Sequence, residues 1–190
     1  MKTISKAAVL LAAIAALPGV AQAQKVPGAV IVTVDTQKIY AECNACKAAQ
    51  TQLQSQAQQL QQLQESLGAP IRTEAEAISK AAGGKAPDAA LQQRIQALQT
   101  KEQQANQQLQ QRQQQFQRNR AYVAQQITEK LNPIVTQVMQ ARGANIAVDT
   151  GATLAASAGL DVTNDVMTQL NSQLPSVNTT APAAPAPASR

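Results

Sequence analysis

The sequence predicts a mainly α fold with a small β body (α+β), in which a long antiparallel coiled-coil hairpin projects from that body. Three observations carry this. Between Thr51 and Gln126 the chain is rich in Gln and carries apolar residues at alternating three- and four-residue spacing. That stretch is split by Gly83-Gly84-Lys85-Ala86-Pro87-Asp88, which no helix tolerates. Short β-branched runs stand on either side of it, Ala29 to Asp35 and Asn145 to Asp149.

The first residues read as an address. Lys2 and Lys6 precede an unbroken apolar run from Ala7 to Leu17, then Pro18-Gly19 and the small-x-small site Ala21-Gln22-Ala23. This is the plan of a secretory signal peptide over residues 1–23. The run is about eleven residues, against roughly 20 for a spanning helix, so an uncleaved anchor is the weaker reading. The expected product is exported and soluble.

Ala29-Val30-Ile31-Val32-Thr33-Val34-Asp35 predicts a strand, and Asp35 or Thr36 can cap the helix that follows. The helical pattern runs from Gln37 to about Ala82, with a kink or break expected at Leu67-Gly68-Ala69-Pro70. Pro70 equally suits the first position of a new helical piece. The outgoing seam is Leu53, Ala57, Leu60, Leu63, Leu67 and Ile71. The returning seam is Leu91, Ile95, Leu98, Ala105, Leu109, Phe116, Val123 and Ile127. A mean spacing near 3.5 gives each helix one narrow apolar stripe, as in a coiled coil. The hairpin spans 37–142, with its tip at Gly83, Gly84 and Pro87. Arms of this length would reach roughly 70 and 80 Å. Two helices alone make a thin core, so such arms exist to reach something.

Gly143 should stop the return helix. A second strand follows at Asn145–Asp149, then a Thr150-Gly151 turn and a weaker third strand over Thr153–Ala158. A short helix from Asp161 to Leu174 should bury Val162, Val166, Leu170 and Leu174, with Asp161 or Thr163 as cap. Residues 24–36 and 143–174 thus meet in one β-rich body. At about 50 residues it is small for a secure core, which implies an oligomer that shares it. Residues 175–190, rich in Pro, Ala, Ser and Thr, predict a disordered tail.

These flanks resemble the Skp/OmpH family of periplasmic chaperones. At the front the matching run is Val32-Thr33-Val34-Asp35-Thr36-Gln37-Lys38-Ile39-Tyr40, with Ala48-Ala49-Gln50 soon after. At the back it is Ile146-Ala147-Val148-Asp149 and Leu160-Asp161-Val162-Thr163-Asn164-Asp165-Val166. The resemblance implies a homotrimer in which three small β bodies form one barrel and three hairpins hang from it around a cavity. It also implies a periplasmic, ATP-independent holdase for unfolded outer-membrane β-barrel proteins. The arms here depart from better-studied members in being richer in Gln and poorer in Lys and Arg.

Other chemistries find little support. The chain has no His, which removes the commonest general base and metal ligand. No Gly-rich phosphate loop follows a strand, and Glu74 and Glu76 fall on different helix faces. No enzyme, cofactor or metal site is expected. The net charge of +5 falls to about +3 once Lys2 and Lys6 leave. With only Tyr40, Phe116 and Tyr122 as aromatics, nucleic-acid binding is not expected. The mild positive bias fits weak contact with anionic lipid or lipopolysaccharide.

Cys43-Asn44-Ala45-Cys46 is a C-x-x-C pair in an exported chain. Placed well inside the first helical turns, it lacks the helix-start setting and βαβ unit of a redox enzyme. The readings are small residues packed near an oligomer axis, an incidental disulfide, a redox pair, or part of a metal site; we favour the structural ones. The alternative to a chaperone is a structural adaptor in an envelope assembly. No lipoyl-like domain or lipobox cysteine accompanies the hairpin to favour it.

Overall fold

The computed structural model of the chain describes residues 27–183. The expected signal peptide lies outside these residues, as does the end of the tail. Strand β1 spans Ile31–Val34 and is followed by helices α1 (Thr36–Glu42), α2 (Asn44–Ala82) and α3 (Ala89–Ala141). Strand β2 (Ile146–Asp149), two 3₁₀ turns (Thr150–Ala152 and Ala158–Leu160) and helix α4 (Thr163–Gln173) complete the order. β1 and β2 pair in parallel, Ile31 opposite Ile146 through Val34 opposite Asp149. A parallel pair needs a long crossover, and here the whole hairpin is that crossover.

Each boundary has a local cause. Asp35 Oδ1 accepts from the Lys38 amide at 2.8 Å and starts α1. Asp88 does the same for Leu91 at the start of α3, also at 2.8 Å. At the end of α3, the Gly143 amide donates to the Gln140 carbonyl and the Ala144 amide to the Met139 carbonyl, at 2.9 and 3.0 Å. This pairing needs a left-handed residue, and Gly143 supplies it at φ 68°.

The core sits at the base of the hairpin. Val32 and Val34 of β1, Ile39 of α1 and Cys43, Cys46 and Ala49 meet Ile127, Leu131, Ile134 and Val138 of α3. α4 closes the cluster with Val166 and Leu170, and its flanking residues Val162 and Leu174 join them, the four expected to share a face. Ile39, Val166 and Leu170 have no exposed surface. Burying such a side chain contributes about 1.5–3 kcal/mol, so the base is where the fold is secured. Farther out every outgoing seam residue is only half-buried. Of the outer returning seam, Leu91 and Ala105 are buried and Ile95, Leu98, Leu109 and Phe116 are half-buried. The arms are accordingly held by a thin stripe.

Four expectations are corrected. The helical pattern from Gln37 is not continuous: it breaks at Cys43, which leaves helical geometry (φ −62°, ψ 144°) and caps α2. α2 then runs through Pro70 without interruption. Ala69 and Pro70 face solvent, where water can satisfy the carbonyl that the missing amide leaves free. The third strand does not form. Thr153–Ala158 is largely exposed loop, and its Ala-rich sequence offers little that packs on a sheet. The place beside β1 is taken by a single bridge, Asp161 to Thr33, with the Val162 amide donating to the Thr33 carbonyl at 2.9 Å.

The fourth correction concerns the tail. Residues 175–183 lie against the hairpin, and Thr179 is 7% exposed. The disorder expected for 175–190 assumed that ordering requires apolar burial. Here main-chain hydrogen bonds to side-chain amides hold the tail, together with Val177 packed against the core.

Candidate functional site

The hairpin presents three features along its length: the cysteine pair at the base, a polar cleft part-way along, and the glycine tip. At about 1.5 Å per residue, Cys46 and Gly83 are separated by more than 50 Å of helix, so these features form no single site.

At the base, Cys43 and Cys46 are bonded to each other, 0% and 2% exposed. Cys43 Sγ also accepts from the Cys46 amide at 3.0 Å. The pair stands at a helix start after all, because the chain breaks at Cys43. Its burial nonetheless keeps a second thiol from reaching either sulfur. Thiol–disulfide exchange needs such access, so the arrangement reads as a staple between α1 and α2. Nearby, the Tyr40 hydroxyl hydrogen-bonds Thr128 Oγ1 at 2.7 Å, and Asn171 Oδ1 of α4 accepts from the Asn44 amide at 2.8 Å. These contacts orient the arms on the base.

Asp149 and Asp161 clamp the two halves of the base. Asp149 accepts from the Thr36 hydroxyl and amide and from the Gly151 amide. Its carboxyl is held below the usual range, chiefly by the Thr36 hydroxyl. Asp161 accepts from the Thr163 amide and hydroxyl. It too is held low, chiefly by the Thr163 hydroxyl. Thr163 Oγ1 in turn accepts from the Asp35 amide at 2.9 Å. Hydrogen bonds to the charged form are the common cause.

At the far end, Gly83 (φ 50°) and Gly84 (φ 76°) take left-handed backbone. The Lys85 amide closes the turn on the Ala82 carbonyl at 2.8 Å. Gly83, Gly84 and Pro87 are all exposed. One exposed ion pair, Arg94 Nε to Glu74 Oε1 at 3.0 Å, ties the arms below the tip. It holds the Glu74 carboxyl below its usual range, first through that hydrogen bond.

The cleft was not singled out by sequence reasoning. Asn119, 5% exposed, donates from Nδ2 to Gln56 Oε1 at 2.8 Å across the arms. Its Oδ1 accepts from Gln115 Nε2 at 2.7 Å and from the Ala181 amide at 2.9 Å. Gln126 accepts from the Asn178 amide at 2.9 Å and donates to the Asn178 carbonyl at 2.8 Å. Gln56 Nε2 donates to the Thr179 carbonyl at 3.1 Å, and Thr179 Oγ1 is paired with Gln52 Oε1 at 2.6 Å. The tail thus lies between α2 and α3, read largely through its backbone. Beyond it a cavity of about 440 Å³ opens, lined in part by Leu60, Leu63, Arg112, Phe116 and Thr180. A signal was present in the sequence. Seam spacing from Ala105 and Leu109 passes through Arg112, Asn119 and Gln126, so the apolar stripe is interrupted where the tail docks.

The β body leaves apolar surface uncovered: Val30, Ile31, Ile146, Leu154 and Leu160 are exposed. Among the described residues nothing pairs with the far edge of β2. No helix among them is long and apolar enough to cross a membrane.

The fold is shared with a solved structure, that of a candidate outer membrane chaperone (OmpH-like) from Caulobacter crescentus CB15. The superposition has a TM-score of 0.68 at 20% identity and covers 81% of this chain and 90% of the other. No curated protein matches the chain by sequence. The family model for outer membrane protein (OmpH-like) matches residues 30–170. That span is most of the chain, and the protein belongs to the OmpH-like family.

Proposed function

We propose that this protein is an ATP-independent holdase chaperone of the periplasm, which keeps unfolded outer-membrane β-barrel proteins from aggregating. Membership of the OmpH-like family supports the chaperone role. The observation that carries the mode of action is the contrast between base and arms. The base is a tight core, whereas α2 and α3, 39 and 53 residues long, project with mostly polar surfaces. Such arms can surround a chain without offering a surface to which it sticks irreversibly. Gln suits this, since its amide both donates and accepts. Unfolded barrel proteins carry free strand edges that aggregate. Anything that binds only the unfolded state competes with that aggregation by mass action, and no covalent step is required.

The working unit in this reading is a homotrimer. The open edge of β2 and the exposed Ile31, Ile146, Leu154 and Leu160 are what a shared barrel would cover, since a two-stranded sheet is marginal alone. Weak contact with anionic lipid or lipopolysaccharide belongs to the same reading, through the modest positive charge.

The test is direct. Mature protein at about one trimer per client should suppress light scattering from a urea-denatured porin diluted into buffer, and multi-angle scattering should give a trimer mass. A trimer that leaves porin aggregation unchanged at tenfold excess refutes the holdase reading; a monomer refutes the assembly.

A further inference from the structure

We propose that the cleft between α2 and α3 is a binding site for polypeptide backbone, occupied in cis by residues 178–181, and that an unfolded client segment takes the same seat. The proposal rests on the holdase reading and names where on the hairpin a client is held.

The contacts are made mainly to main-chain groups of the tail. Gln126 meets both main-chain groups of Asn178, donating to its carbonyl at 2.8 Å and accepting from its amide at 2.9 Å. A neighbouring strand would offer the same pair. Gln56 then takes the Thr179 carbonyl and Asn119 the Ala181 amide, at 3.1 and 2.9 Å. Recognition through main-chain groups gives affinity with little dependence on sequence. A chaperone that must accept many clients needs that property. Only Thr179 is read by its side chain, through Gln52 at 2.6 Å.

The cleft is built, not incidental. Polar residues Arg112, Asn119 and Gln126 interrupt the seam where apolar residues would have closed the arms on each other. Asn119 is buried, and its amide bonds Gln56 through Nδ2 and Gln115 and the tail through Oδ1. The cavity of about 440 Å³ that continues beyond Thr180 adds Leu60, Leu63 and Phe116. It offers apolar contact to the next residues of a longer occupant. A barrel strand in its unfolded state alternates small or polar with apolar side chains, so its backbone can engage the amides while apolar groups enter this cavity. The tail, tethered at Leu174, is present at an effective concentration that only a tight or multivalent competitor overcomes. Casual ligands are thereby kept out.

The probe is a fluorescein-labelled peptide of residues 175–190, followed by anisotropy. A mature chain ending at Leu174 should bind it, and the full mature chain should bind it at least tenfold more weakly. Urea-diluted porin should displace it. Lack of binding by the shortened chain with an unaltered circular dichroism spectrum overturns the proposal, as does porin captured with the probe still bound. Should the shortened chain misfold, hydrogen exchange on the full chain decides. Amides of 177–183 should exchange at least tenfold faster once porin is held; unchanged exchange with porin held sinks the idea. Porin not held at all would refute the holdase reading instead, while probe binding alone would still decide whether the cleft reads backbone.

Discussion

Replacing Asn119 by Leu should spare the hairpin and free the tail, whereas Asn119→Ala should weaken both. Asn119 is 5% exposed. It bonds Gln56 across the arms, Gln115 on its own helix and the Ala181 amide of the tail. A neutral hydrogen bond contributes about 1 kcal/mol net. Gln56 and Gln115 are half-buried and can turn to water once released. Asn119→Ala therefore costs about 2–3 kcal/mol, the bonds and the lost packing together. Asn119→Leu loses the same bonds and is larger, and its added volume can enter the cavity that Asn119 lines. It also places an apolar group on the helix face between Phe116 and Val123, three and four residues away. Burial of Leu contributes about 1.5–3 kcal/mol, so the two terms nearly cancel for arm pairing. The tail loses its Ala181 anchor in both variants. Urea unfolding followed by far-UV circular dichroism, at one protein concentration, reads the arms. Hydrogen exchange of residues 176–183 reads the tail. If Leu destabilises as much as Ala, position 119 is not a seam position. If the tail stays protected in both variants, Asn119 does not hold it.

Three further outcomes are expected. A hairpin shortened symmetrically about Gly83 and Gly84, far enough to remove the cavity lined by Leu60, Leu63 and Phe116, should keep its oligomeric mass in light scattering yet capture less porin; unchanged capture would place client contact nearer the base. Cys43→Ala with Cys46→Ala removes a four-residue loop closure worth about 2 kcal/mol; melting should fall accordingly while aggregation suppression persists. Loss of activity in a folded double variant would revive a redox role. Acid should loosen the base, because Asp149 and Asp161 are held low by their Thr36 and Thr163 hydrogen bonds. A depressed carboxyl stabilises the fold fully above its unfolded value of about 4 and ceases to do so as pH falls through its native value. Asp149→Asn should flatten that acid limb in a pH series of urea midpoints. An unaltered limb would mean that other groups carry it.

The parts legible in the sequence are those set by period and by backbone chemistry. The seam residues of both arms lie inward because a spacing near 3.5 admits one packing face. Gly143 ends α3 because only glycine takes the left-handed position cheaply. Val162, Val166, Leu170 and Leu174 are buried together because they share one helix face. The misreadings arise where distant chain segments intervene. Pro70 continues a helix because its face of the arm is solvated. The break at Cys43 accompanies a disulfide and an Asn171 contact from the far end of the chain. The strand expected at Thr153–Ala158 is absent because β1 spends its free side on Asp161.

Composition and heptad spacing by themselves determined a slender helical hairpin on a small β base, since those depend on near neighbours along the chain. Whether Asn119 and Gln126 would be blemishes in a seam or the walls of a cleft depended on what came to lie beside them. That was decided by residues 178–181 returning from more than fifty positions away, a choice made by hydrogen-bond geometry in three dimensions and by nothing that periodicity records.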